Sequence, residues 1–178
     1  LPYYGNWVEV KDWYVKRHYH ASGGAFVVSH YPGAKMIKKF EKPLPAGEYK
    51  VCLRMVLTRS KGTCNILKVS LGNIKGKKFA PVAENEFIQD FVGSGYGWYV
   101  LPSFKINKKC NAIEIESVKV ENMGIGDDPE YEKPYVIVDS VIITDEKIEL
   151  IVDKRRGRNR IKFLTGKDPR EKVKRIPY

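Results

Sequence analysis

Glutamine is almost missing from this chain: Gln89 is the only one among 178 residues. Abundant Lys and Glu with so little side-chain amide fit a thermophilic source. Cysteine is scarce, and Cys52, Cys64 and Cys110 permit at most one internal disulfide without showing metal-ligand spacing. Buried unpaired thiols are at least as good a reading of them. Histidine is equally rare. His18 and His20 share one strand face and His30 follows ten residues later, but no third ligand stands at zinc spacing, so they read as solvated histidines near a strand end. No apolar run approaches the roughly 20 residues of a membrane helix. Long helical periodicity is missing as well. So are a nucleophile elbow, a phosphate loop, a zinc-protease motif and a recognisable acid/base pair, which argues against an enzyme.

What the chain has instead is alternation. In "PLPAGEYKVCLRMVL", Tyr49, Val51, Leu53, Met55 and Leu57 alternate with Lys50, Cys52, Arg54 and Val56. Side chains two apart share a strand face, so this is a strand with one apolar side, entered through a Pro45 to Gly47 turn. Similar runs recur: "WVEVKDWYV", "AFVVSHY", "AKMIKKF", "NILKVSLGN", "WYVLPSFKI", "NAIEIESVKV" and "YVIVDSVIIT". Turn chemistry separates them at Gly23-Gly24, Pro32-Gly33, Lys61-Gly62, Gly72-Asn73, Gly93 to Gly97 and Gly124 to Pro129. Many short strands with regular turns read as an all-β, antiparallel two-sheet sandwich or jelly roll. With 43% hydrophobic residues, one domain has a substantial core. Tyr49, Val51, Leu53, Ile113, Ile115, Val138 and Val141 are expected in it. Val138 and Val141 share a face only if a bulge intervenes. "KGKKFAPVAENEFIQDF" is the least regular stretch and the place for a short helical turn.

The charge of +11 is unevenly spread. From Lys154 to Tyr178 eleven Lys and Arg face only Asp168 and Glu171, a net of +9, which leaves +2 for everything before. A sandwich domain over 1–146 is therefore expected, followed by a basic extension over 147–178. Within it "KIELIVD" and "RIKFL" read as strands that "KRRGRN" closes into a hairpin, and the residues after Leu164 read as a solvated extension. Arg155, Arg156, Arg158 and Arg160 are its candidates for polyanion or assembly contacts. Apart from Phe163 and Tyr178 no aromatics interleave with these charges, so a base-stacking surface for nucleic acid is unsupported.

The order of the pieces resembles the family-six and family-thirty-five carbohydrate-binding modules. "WVEVKDW" is similar to their opening strand and "ASGGAFV" to their glycine-bearing second segment. "PAGEYKVCLR" resembles the strand after a P-x-x-G-x-Y turn, and "NILKVSLGN" and "GYGWYVLPSFKI" resemble the strands that follow. "NAIEIESV" and "VDSVIIT" are similar to the closing strands, so the match spans about residues 7 to 144. The resemblance implies a galactose-binding-domain-like sandwich that binds glycan without catalysis in an extracellular or cell-surface protein. It also implies a structural calcium held by acidic residues of adjoining first and last strands. Glu9 and Asp139 match that pattern, but Lys11 stands at the second acidic position, and an ammonium is not a calcium ligand. Lys11 is expected to supply the positive charge itself, so calcium is doubtful. Ile137 replaces the family's ligand-binding asparagine.

A sugar site needs an aromatic platform for the C–H face of a pyranose and polar groups for its hydroxyls. Tyr31, Tyr96, Trp98 and Tyr99 are the candidates, against a competing role for Trp98 at the core edge. Asn111, Asn122 and Asp128 are candidates for polar contacts. The acidic loop Asp127, Asp128, Glu130 and Glu132 lacks the spacing of a calcium loop. Two readings from other classes stand beside glycan binding: an assembly subunit with a decayed sugar site, self-associating through its basic tail, and a nucleic-acid-associated protein using that tail.

Overall fold

The computed structural model describes residues 7–11, 13–17, 25–29, 33–57, 63–88, 97–122, 136–153, 158–164 and 174–176. Among these residues there is no helix. Five strands, β1 (Trp7–Lys11), β4 (Lys35–Leu44), β10 (Cys110–Asn122), β6 (Thr63–Lys75) and β7 (Lys78–Ile88), form one sheet in that order. A second, seven-stranded sheet runs β2 (Trp13–Arg17), β3 (Ala25–Ser29), β11 (Val136–Thr144), β5 (Gly47–Leu57) and β8 (Gly97–Val100). In it β9 (Phe104–Ile106) also pairs with β5, and β14 (Lys174–Ile176) with β11. β12 (Ile148–Asp153) and β13 (Arg158–Phe163) make a separate hairpin. All these pairings are antiparallel.

Both sheets contribute to one core. Met36, Phe40, Leu67, Val69, Leu71, Ile113 and Ile115 come from the five-stranded sheet, and Tyr49, Val51, Leu53, Val138, Val141 and Ile143 from the other. This is the antiparallel two-sheet sandwich expected from the alternation, and all seven expected core residues are buried. The pairing of β11 with β5 shifts between Val138 and Ser140. An extra residue at a bulge breaks the two-residue period, and so Val138 and Val141 both reach the core.

The turn before β5 has its own tie. Tyr49 is buried, and its hydroxyl donates to the Pro45 carbonyl at 2.8 Å. The tyrosine thus anchors to the strand the turn that delivers it. Tyr49→Phe is expected to lower stability by about 1 kcal/mol in urea unfolding, the worth of one such bond.

Several stretches depart from the sequence expectations. "WVEVKDWYV" is two strands: β1 enters the five-stranded sheet and β2 the seven-stranded one. "WYVLPSFKI" is also two, both on β5, with a break at Leu101–Ser103 that includes Pro102, which has no N–H for a ladder. The stretch expected to hold a helical turn is β7, an edge strand, where Pro81 is tolerated. Gly72-Asn73 is not a turn. The chain reverses at Gly76-Lys77, between paired Lys75 and Lys78, with Gly76 at φ 64°. A two-residue hairpin turn of the primed types needs positive φ at its first position. Beyond Leu164 the extension is not solvated throughout, because Lys174–Ile176 pairs with Val141–Ile143.

Where ladders end, asparagine amides take over. Asn73 Nδ2 donates to the Lys109 carbonyl at 2.8 Å, and Asn73 Oδ1 accepts from the Asn111 N–H at 3.1 Å. Asn111 reciprocates: its Oδ1 accepts from the Ile74 N–H at 2.8 Å and its Nδ2 donates to the Ile74 carbonyl. Each carboxamide stands in for a peptide group. Asn111, a candidate for sugar contacts, is committed to this brace.

Candidate ligand-binding face

The two sheets present different outer faces. On the five-stranded sheet several residues between the core positions are charged. Lys68 Nζ lies 3.2 Å and Lys35 Nζ 3.9 Å from Glu116 Oε2, and Ser70 Oγ donates to Glu84 Oε1. The bond to Glu116 pushes the Lys68 pKa above its ordinary value. These five residues include no aromatic ring, and the two lysines offset the two carboxylates.

The seven-stranded sheet carries the aromatic. On β8, Tyr99 pairs with Leu53 and packs against the core. Alternation therefore puts its half-buried neighbour Trp98 on the outer face. Trp98 pairs with Arg54, and Arg54 with Ser140, so one row of β8, β5 and β11 reads Trp98, Arg54, Ser140. The next row is Val100, Cys52, Ile142. The indole and the guanidinium side by side combine a platform with donors. Ser140 is 1% exposed, and its Oγ has no hydrogen-bond partner. Ser140, like Cys52 and Ile142 in the next row, is covered, so the exposed part of the row is its Trp98 and Arg54 end.

Cys52 lies on this face but is chemically quiet. Burial pushes its thiol up to about 12, and the thiolate is the nucleophile and metal-binding form. Cys110 is also buried and unpaired, which removes a bridge between these two. Both are expected to resist iodoacetamide in the native protein and to react once it is unfolded in denaturant, as mass spectrometry of the labelled protein would show. Fast labelling of Cys52 in the native state would contradict its burial.

At the sheet edge stands the C-terminal hairpin. The Trp98 N–H donates to Asn159 Oδ1, and Asn159 Nδ2 donates to the Trp98 carbonyl at 2.8 Å. Arg160, on the same strand, is exposed.

Of the residues singled out by sequence, the structure brings Trp98 to the outer face and Tyr99 to the core. Tyr31, Tyr96, Arg155, Arg156, Asp128 and the histidines lie outside the described residues, and so do the side chains of Glu9, Lys11, Asn122, Asp139 and Arg158. Glu9 pairs with Ile37 in the five-stranded sheet, whereas the strand of Asp139 belongs to the seven-stranded one, so the two strands are not paired. Among the described residues no group of three or more His, Cys, Asp or Glu is placed to hold a metal. Among the described residues no helix is long and apolar enough to cross a membrane. Arg54 and Ser140 were passed over in the sequence, although Arg54 stood there among the residues opposite the apolar side of its strand. Asn159 carried no local signal.

No protein-family model matches the chain, and no curated protein matches it in sequence. The solved structures to which the chain is similar include the following two. One is a family 35 carbohydrate binding module from Clostridium thermocellum, at 14% identity and a TM-score of 0.49, covering 76% of this chain and 90% of that one. The other comprises the CBM22-1 and GH10 modules of a Clostridium thermocellum endo-1,4-beta-D-xylanase 10B complexed with xylohexaose. It shows 14% identity and a TM-score of 0.44 over 80% of this chain and 29% of that one.

Proposed function

We propose that this chain is a non-catalytic carbohydrate-binding module of an extracellular or cell-surface protein, and that it takes glycan on the outer face of its seven-stranded sheet. The observation that carries this reading is the half-buried Trp98 on the outer face, paired with Arg54 on the neighbouring strand. A pyranose lying on Trp98 buries its C–H face against the indole and turns its hydroxyls toward the Arg54 guanidinium. Nothing in the row needs to move a proton or attack a bond. The ordered resemblance of residues 7 to 144 to sugar-binding modules supports the same assignment.

The test is binding of the full chain to a broad glycan array, followed by titration with xylohexaose, cellohexaose and mannohexaose. Trp98→Ala is expected to weaken binding about ten- to hundredfold, since burying one large side chain contributes about 1.5–3 kcal/mol. Its melting temperature should stay close to that of the parent. Ser140→Ala, which removes a covered hydroxyl that has no partner, is expected to leave the protein as stable or more so. A chain that binds nothing on the array overturns the proposal. Undiminished binding by Trp98→Ala would move the site elsewhere.

A further inference from the structure

The free edge of β8 is closed by one side chain. β8 pairs with β5 along one edge, and on the other both backbone polar groups of Trp98 are taken by the Asn159 carboxamide. A carboxamide offers a donor and an acceptor side by side, so it terminates an edge as one more rung of ladder would. The two residues are 61 apart in sequence, so the contact fixes the hairpin to the platform strand.

The hairpin brings more than an amide. Val152 pairs directly with Asn159, and Leu150, two residues before it, shares that face. They are 58% and 39% exposed, and with Leu164 they are the exposed large hydrophobic residues of the described chain. An isolated two-stranded hairpin is marginal in water, and this one keeps apolar side chains uncovered on the face that carries Asn159.

We infer that the C-terminal hairpin is a working part of the ligand face rather than a spacer or an assembly tail. Asn159 is a positioning residue that holds the backbone of Trp98. Val152 and Leu150 form an apolar side wall for the C–H face of a pyranose lying on the indole. This rests on the sugar-binding reading above.

The experiment uses the full chain and two readouts. Amide hydrogen exchange at Trp98 needs no sugar: Asn159→Ala should accelerate it about tenfold or more, and Asn159→Asp, which still accepts from the Trp98 N–H, much less. Titration with xylohexaose, cellohexaose and mannohexaose should then show Asn159→Ala at least tenfold weaker than the parent at a similar melting temperature. Val152→Ser should be about threefold weaker or more, and Leu164→Ser unchanged. Unchanged exchange at Trp98 in Asn159→Ala overturns the positioning role, as does unchanged affinity despite faster exchange. Equal affinities for the Val152 and Leu164 variants overturn the wall. If the parent binds none of the hexaoses and nothing on the array, the sugar reading fails and the wall with it. Exchange at Trp98 then still decides whether Asn159 holds the strand.

Discussion

Leu53→Ala should lower the unfolding free energy by about 2–5 kcal/mol, the range for deleting a fully buried leucine side chain. Leu53 is 0% exposed and lies between Val141 on β11 and Tyr99 on β8, in the core shared by both sheets. Loss of the transfer energy is one part of the cost. The cavity left behind is the other, because neighbours on a paired strand cannot collapse into it without breaking ladder bonds. In urea the midpoint should fall while the slope stays constant, which marks a change of stability rather than of the unfolded state. Leu53→Met, nearly equal in volume, should cost less than about 1.5 kcal/mol. A loss below about 1 kcal/mol for the alanine variant would show that the two sheets do not close over Leu53.

Gly72→Ala should destabilise too, with the opposite sign from an ordinary glycine. Replacing glycine in a strand usually helps, since glycine weakens strands and frees the unfolded chain. At Gly72 a Cβ would lie 2.2 Å from the Ala80 carbonyl oxygen and 2.9 Å from Pro81 Cα. Both obstacles are backbone, and the pairing of β6 with β7 shifts its register between Leu71 and Gly72. The strands must part to admit even one methyl group. A cost of about 1–3 kcal/mol is expected, the range for overpacking, and more for Gly72→Val. Gly76→Ala tests the other kind of glycine, because nothing lies within 4 Å of a Cβ there and only the backbone angle resists. A neutral or stabilising Gly72→Ala would contradict the close approach.

How legible all this was in the sequence differs from residue to residue, for physical reasons. Tyr49, Val51 and Leu53 could be assigned to a buried face because period-two alternation is a local signal. The two valines of β11 were legible conditionally: both fit the core only with a bulge, and the register shift supplies it. Gly72-Asn73 misled because the pair has the chemistry of a turn, whereas its glycine answers a close approach that only the folded hairpin creates. β7 was obscured by Pro81, which is excluded from central strands but permitted at an edge, and edge position is a tertiary property. β14 was hidden by its charge, since a basic composition reads as solvated until an apolar strand is found beside it. The candidate face was half legible. Trp98 stood out as an aromatic near a glycine-rich turn, but strand parity decided between it and Tyr99. Asn159 acquires meaning only from a partner far away in sequence.

The central claim is that the outer face of the seven-stranded sheet binds sugar at Trp98. Amide and indole chemical shifts of the full chain, recorded during titration with a glycan retained from the array, test it most directly. Shifts concentrated at the Trp98 indole, Arg54, Ser140 and the hairpin around Asn159 are the predicted result. Shifts confined to the charged face around Lys35, Lys68 and Glu116, with Trp98 unmoved, would contradict it.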